Sequence, residues 1–296
     1  MKMAKIECCW YIGESLLPWE ASVAGTLARA LIRSGVALHA YSGAGTDLLN
    51  IPGLLSWRSM HTMERAAAAG IRGRLWHLWG TPPSWWGMVR LRARTVHTRF
   101  SMKTEWKGHP TVFSATECSG GETYIPPGFE VKVNWGGEAP GEAYQGDESP
   151  LCLLPGETSV ESDYSSLLGS MGMNFKPLGR GGEEAMQHLS SGRTVLLIEN
   201  PNSSLALLSA NGALMGVPAA APRSPLMDEF LGKDGYVHFD PAAGTEEKRR
   251  ILTLLAGEGG RAASAAARRH VSEQFTPEKG AKKLENLYLS LSGVKK

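Results

Sequence analysis

The chain has 296 residues, 42% of them apolar, with 31 Lys and Arg against 29 Asp and Glu. That length suggests two domains, and the apolar share excludes a disordered chain. No apolar run approaches the ~20 residues that span a bilayer, and Glu7 interrupts the start before a signal-peptide core develops, so a cytoplasmic protein is expected.

In the first half, the pattern alternates short β runs with helical segments, the signature of parallel α/β architecture. KIECCWYIG (5–13) reads as a buried strand. Residues 21–34 read as a helix, with Val23, Leu27, Ala30 and Leu31 apolar and Gly35 closing it. VALHAYS (36–42), GRLWHLW (73–79), RTVHT (94–98) and TVFSAT (111–116) read as further strands. Gly and Pro then cluster over 126–150, where a domain junction is expected.

The second half repeats the rhythm. PLCLLPG (150–156) reads as a strand and 160–171 as a helix, NFKPLG (174–179) as a strand and 183–189 as a helix. RTVLLIENP (193–201) is a strand, followed by a helix over 203–215 and a strand in VPAAAP (217–222). GYVHFDP (235–241) is a short strand or loop before a helix over 246–256. Thr276, Pro277 and Glu278 give a helix-start signal of N-cap, first-position Pro and first-turn acid. Ala281, Leu284, Tyr288 and Leu291 then share one face. The expected division is 1–130, 131–275 and a C-terminal helix over 276–296.

The charge is uneven. Residues 1–130 hold 14 basic against 9 acidic side chains, and the remainder 17 against 20. Across 90–107, six basic residues face Glu105 alone, with Trp85, Trp86 and Trp106 nearby. That stretch reads either as an ordinary solvated face or as a peripheral contact with anionic lipid head groups at the inner membrane face. No nucleic-acid partner is expected, because no recognition-helix, RNP or zinc-finger pattern accompanies the charge. Cys8, Cys9, Cys118 and Cys152 follow neither zinc nor disulfide spacing, and no metal is expected.

In open α/β sheets, ligands sit outside the carboxyl ends of the strands. The front of the 203–215 helix therefore stands out: Asn202, Ser203 and Ser204 offer caps and backbone N–H groups, with the helix dipole behind them. A diphosphate suits such a place, while plain helix capping is the commoner use of these residues. A dinucleotide fingerprint is missing, since the first strand–helix turn reads GESLLPWEASVAG. That argues against an NAD-dependent enzyme.

The run from Ser203 to Pro218 and the AAAPRSPLMDEFLGKDGYVHFDP that follows resemble the donor end of GT-B glycosyltransferases of family 4. LARALIRSGVALHAYSG, VHTRFSMKTE, YIPPGFE and ARRHVSEQFTPEKGAKKLENLYLSL are similar, in the same order, to other stretches of that family. The resemblance implies a GT-B fold, with two Rossmann-like domains facing across a cleft and the C-terminal helix crossing back to the first. It implies a retaining, metal-independent transfer of a sugar from a nucleotide diphosphate, with no cofactor beyond that substrate. The acceptor would be a glycan, glycolipid or small molecule, carbohydrate or lipid-linked.

On this resemblance Ser203 and Asn211 occupy the two glutamate positions of the E-x7-E motif, with Ser204 at the donor phosphate end. Gly13 and Glu14 fall in the loop that covers the phosphates, and Arg180 in a loop packed against the base. Glu229 falls at a sugar- or diphosphate-binding position. His97 matches a histidine facing the donor sugar, where it would be catalytic. His77 and Trp79 fall on the acceptor side, core packing being the other reading of both. Both motif glutamates are replaced, and the basic pair that usually holds the diphosphate is not visible. The alternative is therefore a catalytically silent GT-B-like binding or partner subunit.

Overall fold

The computed structural model describes residues 6–13, 16–42, 55–58, 75–82, 93–100, 108–130, 151–154, 161–177, 189 and 194–292. It divides into two compact units. The first comprises Met1–Leu16, Glu20–Glu130 and Phe275–Lys296, and the second Leu17–Trp19 and Val131–Gln274.

The first unit is built on β1 (Glu7–Ile12), β2 (Ala37–Ser42), β3 (Leu55–Arg58), β4 (Leu75–Trp79), β5 (Arg94–Arg99), β6 (His109–Val112) and β7 (Thr123–Tyr124). These form one sheet in the order β3-β2-β1-β4-β5-β6-β7, every described pair parallel. Parallel strands buried on both faces read as unbroken apolar runs. Cys8, Cys9, Trp10, Tyr11 and Ile12 of β1 are accordingly all buried, as is every residue of β4.

Helix α1 (Pro18–Arg33) buries Val23, Leu27 and Leu31, a spacing of four that keeps one face on the core. It ends because Gly35 adopts φ 94°. Val36 N–H then bonds Leu31 O at 3.1 Å and Gly35 N–H bonds Ile32 O at 3.0 Å, closing the last carbonyls in a Schellman turn.

The second unit holds β8 (Leu151–Leu154), α2 (Glu161–Ser170), β9 (Asn174–Pro177), β10 (Thr194–Leu197), α3 (Ser203–Leu214), β11 (Ala219–Ala221), α4 (Pro225–Leu231), β12 (Val237–His238), α5 (Thr245–Ala256) and α6 (Glu258–Gln274). Its parallel sheet runs β12-β11-β10-β8-β9. On one side Tyr164, Leu168, Val195, Leu197, Ile251 and Leu252 form a continuous core. Helix α3 packs against α4, α6 and β11, which explains why it is apolar along its whole length rather than on one stripe.

The final helix, α7 (Pro277–Ser292), belongs to the first unit and lies on its sheet. A relay of buried polar groups joins them. Trp10 Nε1 donates to the Tyr288 hydroxyl at 3.0 Å, and that hydroxyl bonds His77 Nδ1. His77 Nε2 meets Thr98 Oγ1 at 2.6 Å, Thr98 meets Thr111 Oγ1 at 2.9 Å, and Thr111 donates to the His97 carbonyl at 3.1 Å. The last donation fixes every proton before it. Thr98 gives its own to Thr111, so His77 must give Nε2–H to Thr98 and accept from Tyr288 at Nδ1. Only a neutral imidazole can do both.

Most of the expected elements form within two or three residues of their expected limits. Strand β6 begins at His109 and ends at Val112, so 113–116, expected as strand, are irregular, bend and turn. The short β3, β7 and α4 were not expected. The segments 183–188 and 131–150 lie outside the described residues.

Three outcomes follow from the relay and its surroundings. Tyr288→Phe removes an acceptor from Trp10 and a donor from His77, leaving both buried and unpaired; a loss of about 2–3 kcal/mol is expected from urea unfolding. Burial, and secondarily repulsion from His97, hold the His77 pKa well below 6.5. The unfolded chain therefore takes up a proton near pH 6.5 that the folded one refuses, and the stability present above that pH is lost as pH falls below it. The urea midpoint should drop between pH 7 and pH 5, and His77→Gln should flatten that drop. Finally, Gly→Ala inside a helix ordinarily stabilises by about 1 kcal/mol. A Cβ on Gly280 of α7 would sit 2.4 Å from Pro126 O, so Gly280→Ala is expected to lower the melting temperature instead.

Candidate functional site

The turn from β10 into α3 forms the front of the candidate site in the second unit. Asn202 is the N-cap, with φ −141° and ψ 170°, and its Oδ1 accepts from Leu205 N–H at 3.0 Å. Neither an acid in the first turn nor a base in the last compensates the helix dipole, so the positive end of α3 keeps its full field. Ser203 is buried at the first helical position. The Ser204 hydroxyl accepts from Trp19 Nε1 at 3.0 Å. Asn211 follows Ser203 by eight residues, about 12 Å along the axis; its Nδ2 donates back to Leu207 O at 2.9 Å. At the far end Gly216, with φ 83°, closes the helix in a second Schellman turn.

Neighbouring α4 carries Glu229, half-buried, whose backbone carbonyl accepts from His270 Nε2 at 2.8 Å. The turn before α4 is braced by Tyr236, which donates to Asp228 Oδ1 at 2.8 Å while its oxygen accepts from Ser224 N–H at 3.4 Å. Burial, with the Asp228 hydrogen bond second, pushes the Tyr236 phenol up to about 12. Arg223 and Lys233 are exposed.

In the first unit Gly13 ends β1. Its N–H bonds Trp79 O at 2.8 Å, and a Cβ there would stand 2.6 Å from Thr81 O, so only glycine allows this approach. His97, in β5, is 4% exposed. Its Nδ1 has no hydrogen-bond partner among the described residues. Burial first, then the Arg99 charge, lowers its pKa to about 4 against the pull of Glu122, which keeps the ring neutral at pH 7. Beside it Arg99 pairs with Glu122 at 2.6 Å. Burial pushes the Glu122 carboxyl up, but two hydrogen bonds from Ser119 and the Arg99 charge outweigh it and hold it low.

His77 and Trp79, expected on an acceptor side, are core residues instead. Both are fully buried; the relay occupies both His77 nitrogens, and Trp79 stacks on His77 at 4.5 Å between ring centres. Glu14 and Arg180 lie outside the described residues, as does 90–107 except for 93–100. Two residues that sequence reasoning missed, Tyr164 and Glu199, meet at the carboxyl edge of the second sheet: the Tyr164 hydroxyl donates to Glu199 Oε1 at 2.8 Å. The available signal was a single carboxylate ending the apolar run TVLLIE. Among the described residues no group of three or more His, Cys, Asp or Glu could hold a metal ion, and no helix is long and apolar enough to cross a membrane.

No protein-family model matches the chain, and no curated protein matches it in sequence. Solved structures do match. A glycosyltransferase from Rickettsia africae superposes with a TM-score of 0.64 at 11% identity, covering 98% of this chain and 100% of the other. Anabaena HepE, solved in complex with UDP and glucose, gives 0.63 at 8% identity, again over 98% and 100%. A sucrose-phosphate synthase from Thermosynechococcus elongatus gives 0.61 at 13% identity with the same coverage. The fold of this chain, two units of parallel α/β structure with the last helix returned to the first, is the GT-B fold of those glycosyltransferases.

Proposed function

We propose that the chain is a glycosyltransferase of the family 4 type, moving a sugar from a nucleotide-diphosphate donor to a glycan, glycolipid or small-molecule acceptor. The observation that carries this reading is the full-length likeness to glycosyltransferases, one of them solved with UDP and glucose. The second unit, chiefly Val131–Gln274, takes the donor. The uncharged front of α3 faces the diphosphate, with the Ser203 and Ser204 hydroxyls and N-terminal dipole stabilising charge that develops on the leaving group. That arrangement supports transfer without a metal or cofactor. Asn211 meets the ribose hydroxyls with its amide, and Glu229 meets the sugar or diphosphate. In the first unit, over 1–130, neutral His97 faces the transferred sugar, where an imidazole lone pair suits the developing oxocarbenium of a retaining transfer. Gly13 lets the chain come close to the phosphates. The basic 90–107 stretch serves peripheral contact with anionic lipid on the cytoplasmic side.

A second reading, a catalytically silent binding or partner subunit, is favoured by one observation: the Asn211 Nδ2 is engaged by its own helix, where the resemblance implies a free carboxylate.

A thermal-shift series with UDP, GDP, dTDP, ADP and CMP separates the possibilities. A ligand of the folded state at a hundred times its dissociation constant stabilises by about 2.7 kcal/mol, and one nucleotide is expected to raise the melting temperature clearly. Asn211→Leu should reduce that shift. A shift accompanied by transfer or donor hydrolysis supports the enzyme, and a shift without turnover supports the silent subunit. No shift with any nucleotide at millimolar concentration overturns donor binding.

A further inference from the structure

Read from its other edge, the second sheet runs β9-β8-β10-β11-β12. The chain places β9 on one side of β8 and every later strand on the other, so strand order reverses between β8 and β10. At such a reversal an open parallel sheet leaves a crevice outside the carboxyl ends of its strands. One side chain from each flank meets there. Tyr164 lies in the first turn of α2, the helix after β8, and Glu199 lies two residues beyond the end of β10. Their hydrogen bond, Tyr164 hydroxyl to Glu199 Oε1 at 2.8 Å, spans the point of reversal.

The two partners are held unequally. Tyr164 is 1% exposed, with Lys248 Nζ 4.8 Å from its ring centre. Leu197, Phe239, Asp240 and Lys248 pack beside the ring and leave room for about one water. The phenol is therefore fixed, and it fixes one carboxylate oxygen. Glu199 itself is only half-buried, and among the described residues no basic side chain pairs with it. A carboxylate is acceptor-only, with about four lone-pair sites, and a neutral phenol satisfies one of them. What remains is a pre-set negative acceptor beside the point where strand order reverses. It repels phosphate and suits a group with two adjacent hydroxyl donors.

We propose that Glu199, positioned by Tyr164, is a specificity residue that binds a vicinal diol in this crevice, the diol being that of a nucleotide's ribose, in addition to Asn211, or of the sugar it carries. The inference rests on the donor reading above. It gives the second unit two opposed poles: the uncharged, dipole-positive front of α3 for the anion, and Glu199 for the hydroxylated ring.

The test is calorimetric titration of the full chain with UDP, GDP and ADP, each against its 2′,3′-dideoxy counterpart, and with UDP-glucose against UDP. A charge-assisted hydrogen bond corresponds to about tenfold in affinity or more. The wild type should therefore prefer at least one ribonucleotide over its dideoxy form by about tenfold, and Glu199→Gln should abolish the preference. If the diol is that of the sugar, Glu199→Gln instead leaves the diphosphates unchanged and removes the added affinity of UDP-glucose over UDP. Tyr164→Phe, which keeps the carboxylate and removes its anchor, should show the same loss at smaller size. If Glu199→Gln and Tyr164→Phe both keep wild-type affinity for every ligand, the assignment is overturned while the donor reading stands. If the wild type binds none of these nucleotides, the donor reading fails and this assignment fails with it.

Discussion

The constraint on which the first unit depends is the relay from Trp10 through Tyr288, His77, Thr98 and Thr111 to the His97 carbonyl. It joins β1, α7, β4, β5 and β6, and its two ends are set by groups that cannot reverse: an indole that only donates and a carbonyl that only accepts. Each hydroxyl between them has its direction imposed. Such a chain, wholly buried, is stabilising when complete and expensive when broken anywhere, because each unpaired member keeps its desolvation cost without compensation. It therefore selects one position of α7 on the sheet rather than merely adding to the attraction. Closing Trp10 on Tyr288 spans 278 residues, yet loop entropy rises only logarithmically with length, by about 0.6 kcal/mol for each doubling. The burial of Leu284 and Tyr288 offsets it.

Close backbone approach makes that position reachable. Gly280 in α7 faces Pro126 O, and Gly128 faces Pro277 Cα; a Cβ at either would come within 3 Å. The pairs Arg29–Glu130 at 2.7 Å and Arg33–Glu278 at 3.2 Å lie at the rim. Partly to well exposed, such pairs contribute roughly 0–1 kcal/mol, so they follow the fit rather than determine it.

These facts explain what was legible in the sequence. Strands such as ECCWYI and LWHLW are buried on both faces, so their continuous apolar runs announce them. Helix α1 shows its face through Val23, Leu27 and Leu31. Strands β3 (LSWR) and β7 (TY) are too short to carry a period, and α4 (PLMDEFL) is seven residues that start on Pro225 and stop at Gly232. His77 illustrates the limit at the site. Locally it is a histidine near a strand end, equally suited to a ligand or to the core. What decides is Tyr288, 211 residues away, which no local pattern contains. Trp79 is similar: an aromatic at a strand end suits a sugar platform or the core, and its full burial with stacking on His77 decides for the core.

The second unit raises the opposite question, of charge that is missing rather than buried. Ser203 and Asn211 stand where the family resemblance implies glutamates, and α3 has no acid in its first turn and no base in its last. Charge-assisted contacts contribute about 1.5–3 kcal/mol each, so a ligand once held by several of them would bind weakly unless something replaced them. An uncharged helix front costs a bound anion nothing in repulsion, and its N–H groups need no rearrangement to receive it. Glu199 stands four residues ahead of the helix, outside its first turn, and offers hydroxyl groups a strong acceptor. A negative charge at the end of β10 rather than on α3 separates two requirements that one glutamate on α3 would set against each other, and the Tyr164 hydroxyl holds that carboxylate by one oxygen.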